Sequence, residues 1–301
     1  MATQDYTADG DEITPAPRTL TRGTKGAYGM TSILLTGGTG FVGRQVLRRL
    51  QDEGCAVRMV LRDGCQAPKD VDPWFTPDLF SETVERLGEA CAGMDVVVHC
   101  AWYAEPGKYL ESDRNLDCLA GTVRLGRAAV ASGVARFVGV GTCFEYDLSP
   151  GFLKTTTPLV PNTLYGAAKA SAFQTLSRFM ELKKCSFAWC RLFYLHGEGE
   201  DKRRLVPYIR SQLAGGLPAE LTTGRQVRDF LDVRVAGQQI ADAALSQREG
   251  PLNICSGLPI TVAQMAERIA EEYGRHDLLR FGARPESPGD PICVFGEPSL
   301  V

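Results

Sequence analysis

The sequence predicts an α/β chain built on a doubly wound parallel sheet, with a smaller C-terminal lobe. Three observations lead there. Short apolar runs alternate with segments of helical spacing from Met30 to about His196. Three glycines, Gly37, Gly40 and Gly43, separate the first run from the first helix. After His196 the rhythm loosens into loops rich in Gly and Pro. Strands that alternate with helices pair in parallel and bury both faces of their sheet.

Residues 1–29 carry Asp5, Asp9, Asp11 and Glu12 ahead of Arg18, Arg22 and Lys25, with no apolar stretch of the signal-peptide type. They are expected to form a flexible tail before the domain. A strand is expected over 32–36. A helix over 41–50 follows, with Val42, Val46, Leu47 and Leu50 on one face and Glu53-Gly54 as its stop. Strands are then expected over 56–61, 94–100, 136–140 and 186–193, and helices over 81–91, 115–132 and 165–182. Beyond His196, helices over 232–246 and 261–273 flank a strand over 251–256, and 281–301 holds four Pro and three Gly with no helical pattern. The expected division is a nucleotide-binding domain over 30–196, to which 226–246 returns. A lobe made of 197–225 and 247–301 would lie over the carboxyl edge of the sheet, where such folds bind ligands.

Composition narrows the function. The 301 residues are 44% hydrophobic and 23% charged, with a net charge of −3, so no basic excess recommends nucleic acid. No apolar run approaches the ~20 residues of a membrane span. The ten cysteines form no CxxC pair and have no His cluster beside them. Reduced thiols in a cytoplasmic protein without a metal site are the expectation.

The segment Thr36-Gly37-Gly38-Thr39-Gly40-Phe41-Val42-Gly43 carries the strongest signal. Gly37 permits a tight turn, Gly40 lets the backbone approach a pyrophosphate, and Gly43 lets helix and strand pack closely, while the helix N-terminus offers free N–H groups to an anion. A tight turn with chance glycines is the bland alternative; the strand before it and the helix after it weigh against that. The string resembles, at every position, the first turn of the extended short-chain dehydrogenase/reductase family, the epimerase/dehydratase group. That resemblance implies a Rossmann fold, a nicotinamide cofactor and a substrate-binding function for the C-terminal lobe. It also implies cofactor contacts at Gly37, Thr39, Gly40, Phe41, Val42 and Gly43.

In such folds the tip of the second strand selects the cofactor: a carboxylate takes the ribose diol, an Arg the 2′-phosphate. The acidic position of the family falls on Leu61, followed by Arg62, with Asp63 a competitor one residue on. NADP(H) is therefore favoured, with NAD(H) open. By the same resemblance Asp78 and Leu79 bracket the adenine, and Cys100, Ala101 and Trp102 lie beside the nicotinamide ribose, with Asn115, Tyr165, Lys169 and Phe193 added to the cofactor set. His99 is read as a packed histidine.

Tyr165 and Lys169 have the YxxxK spacing, and residues four apart share a helix face. An ammonium beside the phenol is expected to lower its pKa from the ordinary value near ~10. Thr142, four residues before Tyr146, matches the family's Ser or Thr that orients the substrate oxygen. Relatives that dehydrate sugars carry Asp and Glu at the two following positions; Cys143 and Phe144 stand there instead, which disfavours dehydration. Relatives that epimerise at C3 and C5 use a Cys at the position of Phe144, so Cys143 is read as a packed thiol and His196 as part of a wall. Arg228, in Arg228-Asp229-Phe230, resembles the family's diphosphate-binding Arg, and Arg284 a second one. Arg204 opens the stretch that receives the nucleotide base. Phe144 and Tyr194 complete the substrate set, Tyr194 replacing the family's Asn.

The resemblance implies an NADPH-dependent 4-ketoreductase of a nucleotide-diphospho-4-keto-6-deoxysugar, acting in deoxysugar biosynthesis as a homodimer. An NAD-dependent nucleotide-sugar 4-epimerase and a non-catalytic dinucleotide-binding regulator remain open.

Overall fold

The computed structural model describes residues 30–287 and 289–299, so the expected tail over 1–29 lies outside the described residues. In chain order the strands of the first half are β1 (Ser32–Thr36), β2 (Ala56–Arg62), β3 (Asp72–Thr76), β4 (Val96–His99), β5 (Arg136–Thr142), β6 (Phe152–Leu153) and β7 (Ser186–Leu192). Those of the second half are β8 (Tyr194–His196), β9 (Ala219–Glu220), β10 (Val227–Asp232), β11 (Gly250–Ile254), β12 (Pro259–Thr261), β13 (Leu279–Arg280) and β14 (Cys293–Gly296). The helices are α1 (Gly43–Asp52), α2 (Val84–Cys91), α3 (Arg114–Ala131), α4 (Leu164–Lys183), α5 (Leu205–Ala214), α6 (Val233–Leu245) and α7 (Val262–Tyr273).

Seven parallel strands form the central sheet in the order β3-β2-β1-β4-β5-β7-β11. The chain winds outward from β1 to β3, then returns to β4 on the other side of β1. The crevice at the carboxyl ends of β1 and β4 is thus the topological switch point, the place where such sheets bind ligands. One apolar layer packs α1 and α6 on the sheet through Val46, Leu50, Met59, Val98 and Ile240. The opposite layer joins α2, α3 and α4 to it through Leu87, Leu125, Phe137, Leu176 and Trp189. Arg136 crosses one end of the sheet fully buried and donates to the Ala243 carbonyl (2.9 Å) and the Arg248 carbonyl, so its charge meets the carbonyl end of α6.

Three features depart from the expected organisation. Asp72–Thr76 is a strand where none was expected; its Pro73 is tolerated because β3 is an edge strand. Leu205–Ala214 is a helix despite Pro207, which sits in the first turn, where its missing N–H is not needed. Gly250–Ile254 pairs with β7 and closes the central sheet, so the lobe does not own the whole of 247–301. The lobe itself joins β12, β10, β14 and β6, with β8 on β10 and a separate β9–β13 pair, over a core of Val206, Ile209, Leu221, Met265 and Ile269.

Candidate active site

The glycine turn is built as its spacing predicts. Gly37 has φ +70°, and a Cβ there would lie 2.6 Å from the Ala101 backbone nitrogen. A Cβ at Gly43 would lie 2.1 Å from the Gly37 carbonyl oxygen, so the turn closes only with hydrogen at both positions. Helix α1 then begins with Val42 as N-cap, with no side chain capping it and no acid in its first turn. The N–H groups of Arg44 and Gln45 go to the Gly40 and Val42 carbonyls, while among the described residues those of Phe41, Val42 and Gly43 donate to no carbonyl and are left for an anion, which is what a dinucleotide pyrophosphate requires.

Beside that turn lies a cavity of about 850 Å³, within the range of small-molecule sites. Gly37, Gly40, Phe41, Val42 and Gly43 line one end. Thr142, Tyr165 and Lys169 line its middle with Cys100, Trp102 and Phe193, and Phe144, Tyr194, Arg204 and Arg228 line the rest. Residues on separate segments therefore converge, brought together by the parallel strands that deliver them to one edge.

The Tyr–Lys pair does not behave as the spacing alone suggests. The Tyr165 ring stands edge-on to Tyr109 (centroids 4.8 Å apart) and to Trp102 (6.4 Å). Burial pushes the phenol pKa well above its ordinary value, with the Thr142 side chain pulling the other way. The Lys169 ammonium donates to the Val140 carbonyl (2.5 Å) and lies 3.9 Å from the centre of the Trp102 ring. Burial lowers its own pKa to about 8. The expected lowering of the phenol pKa by Lys169 is not what this structure shows: desolvation dominates and keeps Tyr165 protonated. Thr142 accepts from the Phe144 N–H at 3.3 Å, which leaves its own hydroxyl proton free to donate.

At the far end, Arg228 is buried, lies 5.0 Å over the Tyr194 ring and pairs with Asp290 at 2.7 Å. The Tyr194 hydroxyl is buried without a partner among the described residues. Asp229 turns away and accepts from Ser256 N and Oγ (both 2.7 Å), Gly257 N (2.9 Å) and Gly296 N (3.3 Å), which sets the direction of β10 and hence of Arg228.

Several candidates stand outside the cavity. Thr39 is exposed and contributes its carbonyl to Arg44. Ala101 packs against Gly37, and its N–H goes to the Thr36 hydroxyl (3.3 Å). Asn115 is buried behind the wall: it accepts from Trp102 Nε1 (2.8 Å) and donates to the Tyr109 carbonyl (2.7 Å), so it orients two aromatic rings. Leu79 belongs to the apolar core, and Asp78 is exposed and accepts from the Phe80 N–H (3.1 Å). Arg62 is exposed at the end of β2 and makes no side-chain hydrogen bond or ion pair among the described residues. Arg284 is exposed and lies over the Tyr208 ring (4.4 Å), away from the cavity lining. Cys143, by contrast, does line the cavity, as a buried thiol pushed up to about 12 by burial, and His196, outside it, rests edge-on to Phe230 (6.5 Å). His99 bridges the Thr36 and Thr122 hydroxyls (2.7 and 2.9 Å) and is held neutral by burial, at about 3.

Three residues of the site have no counterpart among the sequence expectations: Tyr109, Glu200 and Glu145. Tyr109 arrives on an irregular loop with no motif around it. Glu200 lines the cavity with its carboxyl raised by burial to about 7, and it too lies in a loop. Glu145 has a readable signal, the Thr-x-x-Glu spacing of a capping box, which the turn Cys143–Glu145 indeed forms.

A dinucleotide-dependent oxidoreductase is the class of protein that this fold and cavity define. The chain belongs to the NAD dependent epimerase/dehydratase family, whose model matches residues 33–251. It is 24% identical over 272 residues to the dTDP-6-deoxy-L-talose 4-dehydrogenase (NAD(+)) of Aggregatibacter actinomycetemcomitans, covering 88% of this chain and 99% of that protein. It is 26% identical over 263 residues to the dTDP-6-deoxy-L-talose 4-dehydrogenase (NAD(P)(+)) of Kitasatospora kifunensis, covering 80% of this chain and 79% of that one. The fold superimposes on the UDP-glucose 4-epimerase of Thermus thermophilus, solved with NAD, with a TM-score of 0.77 and 24% identity over 89% of this chain and 91% of that one. The protein is thus an enzyme of the NAD(P)-dependent oxidoreductase type.

Proposed function

We propose that the enzyme is an NADPH-dependent 4-ketoreductase of a nucleotide-diphospho-4-keto-6-deoxysugar. The observation that carries this reading is one cavity with the uncapped glycine turn at one end, the Thr142–Tyr165–Lys169 set in the middle and the buried Arg228 at the other end. The bound nicotinamide supplies the hydride. Tyr165 gives its proton to the oxygen at C4 as the carbonyl becomes an alkoxide, a task suited to a phenol that burial keeps protonated. Thr142 donates to the same oxygen and aligns it. Lys169 holds a ribose and lends positive charge to the site.

Arg228 takes the diphosphate with its guanidinium fork, and the Tyr194 hydroxyl finds in the substrate the partner it lacks. Trp102, Tyr109, Phe144 and Tyr194 wall the sugar end with aromatic carbon, which suits a methyl at C6 better than a hydroxymethyl. Neither Cys143 nor Phe144 offers a carboxylate for eliminating water. A 4-dehydrogenase of a 6-deoxysugar nucleotide, run in reverse, is a 4-ketoreductase, and two relatives bear that name. The unpaired guanidinium of Arg62 at the β2 tip favours the 2′-phosphate of NADPH.

The test is a screen of dTDP-, CDP-, GDP- and UDP-linked 4-keto-6-deoxysugars with NADPH and with NADH, read as loss of reduced-nicotinamide absorbance. Stoichiometric oxidation of NADPH with formation of the 4-hydroxy sugar is expected. Interconversion of 4-hydroxy sugars without net cofactor turnover would replace this reading with the 4-epimerase one.

A further inference from the structure

A fully buried ion pair lies under the reacting groups, and the chemistry above makes no use of it. Glu145 and Arg191 are 0% and 1% exposed, with Oε2 accepting from Arg191 Nε at 2.6 Å. The other oxygen, Oε1, accepts from the Thr142 N–H and from the Trp189 indole N–H, each at 2.9 Å. Arg191 also donates to the Tyr146 hydroxyl (2.9 Å), which donates to Asn253 Oδ1 (2.7 Å). Space for the carboxylate comes from Gly141, where a Cβ would lie 2.3 Å from Oε1. Burying two charges this deeply costs several kcal/mol per ion before pairing, and apolar replacements are often as stable. Stability alone does not account for the pair.

We propose that Glu145 is a positioning residue for the reaction: one carboxylate oxygen fixes the Thr142 backbone at the end of β5, and its buried negative charge serves as counter-ion to the Lys169 ammonium. The inference rests on the roles given above to Thr142, Tyr165 and Lys169. With its backbone held by Glu145 and its oxygen accepting from Phe144 N–H, Thr142 has a fixed rotamer and a free proton to donate.

The groups that bear on Lys169 come from four segments: Glu145 from the turn after β5, Cys118 from α3, Cys100 from the loop after β4, and His99 from the end of β4. Cys100 is pushed up to about 12 by burial, Cys118 is also raised, and His99 is neutral, so Glu145 is the anion of this set. Arg191 stands behind the carboxylate. Lys169 donates to the carbonyl of Val140, two residues before Thr142, and lies 5.9 Å from the centre of the Trp189 ring whose N–H goes to Glu145 Oε1, so ammonium and carboxylate meet the same indole. Burial drives Lys169 down to about 8, and Glu145 acts in the opposite direction.

The experiment follows Lys169 directly in the unliganded protein. Competitive acylation with acetic anhydride is run across neutral to alkaline pH, and the Lys169 peptide is quantified by mass spectrometry. Glu145→Gln keeps an acceptor for the Thr142 amide but removes the charge. Its Lys169 midpoint should fall by about one pH unit, a tenfold loss of proton affinity, while Glu145→Asp should retain most of it. The double variant Glu145→Gln/Arg191→Gln, which removes the guanidinium along with the carboxylate, should show a smaller fall in the same direction, because the repulsion from an unpaired Arg191 is gone. An unmoved midpoint in folded protein overturns the proposal. So does a chain that fails to fold in both forms, since Glu145 would then be a folding residue. The midpoint needs neither sugar nor cofactor. A protein inert on every keto-sugar would therefore count against the proposed function and leave this result standing.

Discussion

The central sheet and the lobe are held together by different forces, and the difference maps onto what each would bind. The sheet is apolar on both faces, and each fully buried Leu, Val or Phe in it contributes roughly 1.5–3 kcal/mol. Its ligand end is mostly backbone: a glycine turn and a helix terminus. In the lobe, β10 has six residues and the other strands have two to four. Side-chain oxygens tie these pieces together. Asp229 collects four donors and Glu286 holds Thr223 and Gln226, while from β11 of the central sheet the Asn253 amide nitrogen donates to the carbonyls of Leu153 and Glu297. Each such bond nets only about 1 kcal/mol, but losing one partner strands the rest. Under the function proposed above, the dinucleotide pyrophosphate would be met by backbone and the sugar nucleotide by side chains of the lobe.

The sharpest way to break that division is through Tyr165, the proposed proton donor, which belongs to the sheet side. Tyr165→Phe should lower kcat by about 10³-fold, within the usual span of general acid catalysis. Reduced-nicotinamide binding, followed by fluorescence, should stay within about twofold, because the glycine turn and Lys169 are left to hold the cofactor. Activity above a tenth of the parent would move the proton donor elsewhere.

Arg228→Ala comes next, on the lobe side. It removes a buried cation and leaves Asp290 and the Tyr194 ring without their partner. The KM for the sugar nucleotide should rise about 100-fold, close to 3 kcal/mol, with NADPH affinity unchanged. A shift in both ligands would show that the two regions are not separable. Asp229→Asn tests the same boundary by stability. With a buried carboxylate lost, about 2 kcal/mol should go, and amide exchange should quicken at Ser256, Gly257 and Gly296 but not in β1, β4 or β5.

The same contrast explains what could be read from the sequence. Val96-Val97-Val98 and Ile33-Leu34-Leu35 announce buried strands because their apolar run has no other use, and the glycine turn announces itself by chemistry. β3 is hidden because Asp72-Pro73 looks like a turn, and only an edge position accepts it. β11 is visible as a strand but not as a sheet member, since its partner β7 is far away in the chain. Arg228 can be singled out, but Asp290 cannot be matched to it, because nothing local links β10 to a Pro- and Gly-rich loop. The acidified phenol is an expectation from spacing alone. Spacing does not show that Trp102 and Tyr109 enclose Tyr165, or that Lys169 turns to the Val140 carbonyl.

A smaller effect is expected at Arg62, which sits on the sheet yet acts by side chain. Arg62→Ala should lower the ratio of kcat/KM with NADPH to that with NADH by about tenfold, the value of one exposed charge-assisted contact to a phosphate. A ratio that does not move would return the choice of cofactor to Asp63 or to the loop after it.

The smallest effect separates two arginines that look alike in sequence. Arg284 is expected from its motif to share the diphosphate with Arg228, yet it is exposed over Tyr208 and absent from the cavity lining. A solvent-exposed cation over an aromatic ring contributes about 0.5–1 kcal/mol, and away from the substrate it gives nothing to binding. Arg284→Ala should therefore change the KM for the sugar nucleotide by less than about twofold, while Arg228→Ala changes it about 100-fold. A rise of tenfold or more for Arg284→Ala would mean that the segment that carries Arg284 swings its guanidinium into the cavity when substrate arrives. Asp290, at the end of that segment, would then leave Arg228 in the same motion, and the lobe would close on its ligand by exchanging one ion pair for another.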